Sequence, residues 1–289
     1  MDYEITGKTK LTALLGSPVS HSISPQMHNE SFRLLGLDYV YLAFDVTPER
    51  LKDAVMGLKA VGICGFNLTM PLKVHILPYL DELTPAARLA GAVNTVIARD
   101  GRLIGHTTDG VGYMRSVSDA GYDIIGQKMT LLGAGGAATA ICVQAALDGV
   151  SSIDMFKRRN GSWEKMAGFC QRVAAETGCH IRLLDIGDRN LLADSISESS
   201  ILTNATSLGM APDSLSSPIP DAALLHKGLI VSDIIYNPRE TLLMKQAKEQ
   251  GCPCFNGLYM LLHQGAAAFE CWTGQKMPIN VIKEKYFSS

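Results

Sequence analysis

Charge is scarce in this sequence. Lys, Arg, Asp and Glu make up 19% of its 289 residues, against 47% hydrophobic, a balance too apolar for a disordered chain. Neither sign dominates: 26 basic and 28 acidic residues leave a formal net charge of −2 and a pI near 6.4. No global basic field therefore exists to attract nucleic acid or an anionic membrane. The seven cysteines include no CxxC pair, Cys252 and Cys254 share only a CxC, and no His or Cys pair has zinc-finger spacing. We therefore expect no metal, and buried reduced thiols in a cytoplasmic protein. The start, Met1-Asp2-Tyr3-Glu4, has neither the basic residues nor the apolar run of a signal peptide. A charge-free stretch, Met129 to Leu147, approaches membrane-spanning length. Glycines and alanines break it, so it reads as strand, turn and helix.

What is present is an alternation of short β-rich runs with helical patterns, which predicts an α/β fold with mostly parallel sheets. At 289 residues the chain is long for one core, and the length suggests two domains. The first unit reads as a strand at Leu11–Gly16 and a helix at Pro25–Leu35 capped by Ser24. A strand at Tyr39–Val46, a helix at Glu49–Ala60 and a strand at Gly62–Asn67 follow. Strands at Val93–Ala98 and Leu103–Thr107 flank Arg99-Asp100-Gly101-Arg102, whose Asp-Gly pair signals a hairpin. The second unit starts near Asp109 with a helix over Asp109–Ala120. A strand at Lys128–Leu132 and a helix at Ala137–Leu147 come next. Further strands are expected at Ser152–Phe156, Ile181–Leu184, Ile201–Asn204 and Leu229–Asp233. Two helical stretches, Leu258–Trp272 and Pro278–Tyr286, end the chain.

Gly133-Ala134-Gly135-Gly136-Ala137-Ala138 follows an apolar strand and opens a helix, fitting the dinucleotide fingerprint G-x-G-x-x-A. Gly133 permits the tight turn, Gly135 lets a pyrophosphate approach the backbone, and Ala138 allows close helix–strand packing. The helix N-terminus offers free N–H groups to the phosphates. The next strand ends in Lys157-Arg158-Arg159-Asn160, where an NAD-binding chain would carry an acid. The cations suit a 2′-phosphate, so local chemistry favours NADP. Asn160 can still bond a ribose hydroxyl, which keeps NAD open.

The first unit also carries neutral polar residues, a lysine and an aspartate at or near strand ends: Ser22, Ser24, Asn67, Thr69, Lys73, Asn94, Thr95 and Asp109. Taken singly, each has an ordinary structural explanation. Together they fall in strings that resemble the shikimate dehydrogenase family, including its quinate/shikimate branch. These are Gly16-Ser17-Pro18-Val19-Ser20-His21-Ser22-Ile23-Ser24-Pro25, Gly65-Phe66-Asn67-Leu68-Thr69-Met70-Pro71-Leu72-Lys73 and Gly91-Ala92-Val93-Asn94-Thr95. Thr108-Asp109-Gly110, the Gly133–Ala138 turn, Asn204-Ala205-Thr206-Ser207, Tyr236-Asn237-Pro238 and Gln264-Gly265-Ala266 continue the series. They keep the family's order across nearly the whole chain. Two departures stand out: Thr107 replaces a frequent Asn, and Asn160 replaces the acid of the quinate/shikimate branch.

The resemblance implies reversible oxidation of the shikimate 3-hydroxyl with hydride passing to NADP or NAD, in the pathway to chorismate and the aromatic amino acids. It implies that Lys73 and Asp109 are a coupled catalytic pair, with Lys73 the proton donor and acceptor. Ser22 and Ser24 would hold the substrate carboxylate, and Asn67, Thr69, Asn94, Asp109 and Gln264 its ring hydroxyls. Gly133, Ala134, Gly135, Gly136 and Ala137 would contact the cofactor, with Lys157, Arg158, Arg159 and Asn160 at its adenosine ribose. Thr206 and Ser207 would line its path, and Ile234, Tyr236, Gly257 and Met260 its nicotinamide half, Tyr236 alternatively facing substrate. The implied organisation is a substrate-binding domain over 1–110, a Rossmann-type NAD(P)-binding domain over 111–264, and an active site in the cleft between them. Pattern alone leaves open whether the final helices, about 265–289, pack back on the first domain. Expected partners are shikimate and 3-dehydroshikimate, with quinate and a homodimer left open. A dual quinate/shikimate dehydrogenase preferring NAD is the nearest alternative, and a ligand-sensing regulator that lost its chemistry is the other.

Overall fold

The computed structural model describes residues 4–287. It divides into two compact units, one holding residues up to Asp109 and from Leu262 on, the other Gly110–Leu261.

The first unit contains β1 (Lys10–Gly16), α1 (Ser24–Leu35), β2 (Tyr39–Asp45), α2 (Leu51–Ala60), β3 (Gly65–Leu68), α3 (Leu72–His75), β4 (Glu82–Leu83), α4 (Pro85–Ala90), β5 (Thr95–Arg99) and β6 (Arg102–His106). Its six-stranded sheet has the order β2-β1-β3-β5-β6-β4. The pairs β1–β2, β1–β3 and β4–β6 are parallel, while β5 runs antiparallel to both β3 and β6. The reversal comes from the hairpin at Asp100-Gly101, whose positive φ values of 51° and 73° are those of the tight primed turn that Asp-Gly favours. Register then matters for function. Because β5 alone is reversed, its start lies level with the ends of β3 and β6, as the pairings Asn67↔Thr95 and Thr95↔His106 record. Polar residues just beyond β3, just before β5 and just after β6 therefore gather at one end of the sheet.

Leu15, Phe66, Leu68, Leu72, Val93 and Val96 form the core beneath that end. Ser24 is not the cap of α1. The cap position is Ile23, in helical geometry with no side-chain cap bond, and Ser24 is the first helical residue before Pro25. The Ser22 hydroxyl instead accepts the Ser24 N–H at 3.2 Å, which supplies the capping bond from two residues upstream.

The second unit contains α5 (Asp109–Asp119), whose first residue closes the first unit, then β7 (Lys128–Leu132), α6 (Gly136–Asp148), β8 (Ser152–Lys157), α7 (Trp163–Thr177), β9 (His180–Asp185), α8 (Arg189–Glu198), β10 (Ile201–Asn204), β11 (Ile230–Asp233), α9 (Leu242–Glu249) and β12 (Cys254–Phe255). The chain ends with α10 (Leu258–Thr273) and α11 (Ile279–Phe287), assigned to the first unit from Leu262 on. The second sheet is wholly parallel, in the order β12-β11-β10-β7-β8-β9. Counted from β7, that is the doubly wound 3-2-1-4-5-6 order, with the switch point between β7 and β10. The stretch that approached membrane length is β7, a turn and α6, and α6 is buried along most of its length. Among the described residues no helix is long and apolar enough to cross a membrane.

Two glycines are dictated by packing rather than by a ligand. A side chain on Gly110, near the start of α5, would run into the Ala140 carbonyl of α6, and one on Gly257 would run into the backbone of Ile234.

Candidate active site

In the first unit Lys73 Nζ donates to Asp109 Oδ2 at 2.5 Å. Lys73 sits in the short helix α3 after β3, and Asp109 follows β6, so the sheet reversal unites residues far apart in sequence. The Lys73 side chain is 21% exposed and that of Asp109 only 7%, so the lysine is the less buried member. Asp109 Oδ1 accepts Asn94 Nδ2 at 2.8 Å. Asn94 is held in turn, its Oδ1 accepting the Thr108 backbone N–H at 2.7 Å. Its Nδ2 also reaches Thr108 Oγ1 at 2.9 Å and Gln264 Oε1 at 3.2 Å.

Asn67 extends the network. Its Nδ2 donates to the Asn94 carbonyl at 3.1 Å and to Thr95 Oγ1 at 3.0 Å, while its Oδ1 accepts the Tyr41 hydroxyl at 2.8 Å. Both amide hydrogens are thus used within the protein, and an acceptor lone pair on Oδ1 is what remains for a ligand hydroxyl. Tyr41 is fully buried, and burial pushes its phenol well above the ordinary value, an effect the Ser24 hydroxyl opposes. Ser24 is buried and Ser22 half-buried. Thr69 follows β3, half-buried, with its backbone N–H on the Leu15 carbonyl at 2.9 Å. Ser22, Ser24, Asn67, Thr69, Lys73, Asn94, Asp109 and Gln264 therefore all belong to this unit. Tyr236 belongs to the other, 38% exposed on the loop after β11.

In the second unit the glycine turn leaves β7 at the switch point. Gly133 has φ +114°, and a Cβ there would stand 2.6 Å from the Ala205 carbonyl, so this glycine is required by conformation and by the neighbouring strand end. Gly135 differs: it is exposed, and a Cβ would meet nothing within 4 Å. Open space over Gly135 at the start of α6 is what an approaching pyrophosphate needs. Ala134, Gly136 and Ala137 complete the turn, half-buried, and Ala138 is fully buried.

The basic segment is not a uniform loop. Lys157 is the last residue of β8, only 9% exposed, so it is not a solvated cation beside Arg158 and Arg159, which are exposed. Its Nζ donates to Asn160 Oδ1 at 2.8 Å and to Ser162 Oγ at 3.1 Å. Asn160 Oδ1 also accepts the Ser162 N–H at 3.1 Å and its hydroxyl at 2.8 Å. Since an ammonium can only donate, the atom facing it is the amide oxygen, and that oxygen is saturated.

At the end of β10 the Thr206 hydroxyl donates to Asn204 Oδ1 at 2.7 Å and accepts the Leu208 N–H at 3.1 Å, so it shapes the loop. Ser207 is exposed, Ile234 half-buried and Met260 7% exposed. Asp233 at the end of β11 accepts Asn204 Nδ2, the Ile235 N–H and the Thr241 hydroxyl, and burial raises its carboxyl. No cluster of His, Cys, Asp or Glu able to hold a metal occurs among the described residues.

The family description "Shikimate dehydrogenase substrate binding domain" matches residues 14–96, and "Shikimate 5'-dehydrogenase C-terminal domain" matches residues 257–285. A shikimate dehydrogenase (NADP(+)) of Listeria monocytogenes is 52% identical over 98% of this chain and 97% of its own. The chain belongs to the shikimate dehydrogenase family. A quinate/shikimate dehydrogenase of Escherichia coli is 42% identical over 97% of this chain and 98% of its own. The crystal structure of the Listeria monocytogenes shikimate 5-dehydrogenase in complex with shikimate and NAD superposes with a TM-score of 0.92, at 52% identity, covering 97% of each chain.

Within this family member, sequence reasoning missed Tyr41 and the part Thr95 and Thr108 play in holding Asn67 and Asn94. The available signal for Tyr41 was its place on an inward-facing strand position, where a buried phenol needs a partner.

Proposed function

We propose that this chain catalyses the reversible reduction of 3-dehydroshikimate to shikimate with NADP as its preferred cofactor, on the route to chorismate and the aromatic amino acids. The observation that carries the reading is the Lys73–Asp109 pair, held by Asn94 and presenting its lysine outward. The seven cysteines are all unpaired, in keeping with a reducing cytoplasmic setting.

A bound nicotinamide supplies hydride to the carbon bearing the reacting oxygen, or takes hydride from it. The Gly133–Ala137 turn fits its pyrophosphate, because Gly135 leaves open space where the N–H groups of α6 begin. In the reducing direction Lys73, as ammonium, donates a hydrogen bond and then a proton to the substrate carbonyl oxygen, countering the charge that develops there. Asp109 keeps the ammonium in place, and Asn94 keeps Asp109 in place. In the oxidising direction the pair takes the hydroxyl proton back. Asn67 Oδ1 and Gln264 would receive and orient ring hydroxyls, and a substrate lacking one leaves a buried polar group unpaired. Ser22 and Ser24 would take the carboxylate at the start of α1, where hydroxyl donors and the helix end favour an anion.

NADP is favoured because the segment after β8 offers donors. The Asn160 oxygen is saturated internally, leaving its Nδ2 hydrogens with Arg158 and Arg159 facing solvent, a set suited to a 2′-phosphate rather than to a ribose diol seeking an acceptor.

Initial rates on the purified protein with shikimate and with quinate, each against NADP+ and NAD+, test the reading. Shikimate with NADP+ should give the highest kcat/KM. A preference for quinate with NAD+ would select the dual-dehydrogenase alternative, and no reduced cofactor with any of the four pairs would remove the dehydrogenase reading.

A further inference from the structure

Trp163, the first residue of α7, has no part in the reading above, yet the cation that ends β8 and one that follows it converge on it. The Arg159 guanidinium lies 5.1 Å from its ring centroid, and the Lys157 ammonium 5.6 Å. Both fall within the range at which an aromatic face attracts a cation. The segment is also closed on itself by hydrogen bonds. Lys157 is tied to Asn160 and Ser162, and the Trp163 N–H donates to the Asn160 carbonyl at 2.9 Å. An exposed arginine ordinarily loses much rotamer freedom when it grips a phosphate. One resting on an indole has lost part of that freedom beforehand, so less affinity is forfeited on binding.

We propose that Trp163 is a positioning residue for the cofactor's adenosine 2′-phosphate, its indole holding the Arg159 guanidinium ready for that group while the buried Lys157 fixes the segment. The proposal rests on the NADP reading of the same segment. Trp163 touches neither substrate nor phosphate in this account. It acts through Arg159, and its contribution concerns NADP and not NAD, which has no 2′-phosphate.

The test compares two replacements of similar bulk. Trp163→Leu removes the aromatic face, and Trp163→Phe keeps one. With saturating shikimate, Trp163→Leu should raise KM for NADP+ about five- to tenfold while moving KM for NAD+ less than about twofold. Trp163→Phe should retain most of the wild-type value. A merely structural role would move both cofactors together and would not separate Phe from Leu, so either pattern overturns the proposal.

A second measurement needs no variant that might unfold. The chain has two tryptophans, and Trp272 is buried in the first unit. Titrating wild-type protein with 2′,5′-ADP should change tryptophan emission, while 5′-AMP at the same concentration should not. An equal response to both ligands, or to neither, overturns the proposal. If the wild type oxidises no alcohol but responds to 2′,5′-ADP alone, the dehydrogenase reading fails and the tryptophan clamp stands. If it oxidises shikimate while the NADP+/NAD+ ratio is unmoved in Trp163→Leu, the clamp fails and the dehydrogenase reading stands.

Discussion

His28 makes the first unit sensitive to acid in a way that can be worked out in advance. It lies in α1, fully buried, with its ring stacked on Tyr41 at 4.4 Å and 8° between planes. Trp272 and Phe269 lie 5.4 and 6.1 Å away between ring centres. Neither ring nitrogen has a hydrogen-bond partner among the described residues, and burial lowers its pKa to about 3 from 6.5. The folded protein therefore keeps His28 neutral where the unfolded chain takes up a proton. A base with a depressed folded pKa contributes stability that is present above the unfolded pKa and is lost as pH falls toward the folded value. The window runs from 6.5 down to about 3, at about 1.4 kcal/mol per pH unit. Between pH 7 and pH 5 the loss is about 2 kcal/mol. That figure depends on the unfolded value alone, since pH 5 is still well above the folded one. His28→Phe removes the titration and leaves an aromatic ring in the stack. Its cost or benefit at pH 7 depends on packing, but the difference from wild type should shift by about 2 kcal/mol in the variant's favour on going to pH 5. Urea unfolding at both pH values, followed by Trp272 fluorescence in a Trp163→Phe background, measures that difference. A gap that stays constant with pH would refute the reasoning.

Three other outcomes are expected. Lys73→Ala should lower kcat by about 10²–10⁴ while shikimate binding stays measurable by calorimetry, and near-normal turnover would exclude the proton-transfer role. Asp109→Asn should also cripple kcat and alter the pH–rate profile, whereas an unchanged profile would exclude coupling to Lys73. The two glycines of the turn should separate: Gly133→Ala should lower thermal stability by about 1–3 kcal/mol through its positive φ and the Ala205 carbonyl, whereas Gly135→Ala should leave the melting temperature nearly unchanged and raise KM for the cofactor.

What could be read from the sequence was what is local. The Asp100-Gly101 hairpin, the glycine turn between β7 and α6 and the long strands carry their signals within a few residues, and they fold accordingly. The two-residue β4 and the one-turn helix α3 are too short to show a period, and nothing in the pattern announced them. The sequence groups Lys157 with Arg158 and Arg159 as one basic set, but strand pairing with Asp185 holds it in β8, where it is buried and its two neighbours are not. Ser24 was read as a cap because serine before proline commonly is one, yet the chain starts its helix a residue earlier and takes the bond from Ser22. The meeting of Lys73 with Asp109 was not legible in residue patterns at all. It requires β5 to run against its neighbours, and only the ordered family strings carried that information.

Asn94 shows how the Lys73–Asp109 pair is oriented. A side-chain amide can present either end, but the Thr108 backbone N–H can only donate, so it fixes the Asn94 oxygen toward itself and turns the NH2 toward Asp109. Asp109 then faces two donors, the Asn94 amide and the Lys73 ammonium, and has the role of an acceptor at both oxygens. Of the two, Lys73 is the member with the more exposed side chain. The Asn94→Asp exchange would place a second acceptor against Asp109 and reverse that logic, although it keeps nearly the same shape. The amide's orientation is thus specified by the backbone N–H behind it, a hydrogen bond that neither member of the pair makes.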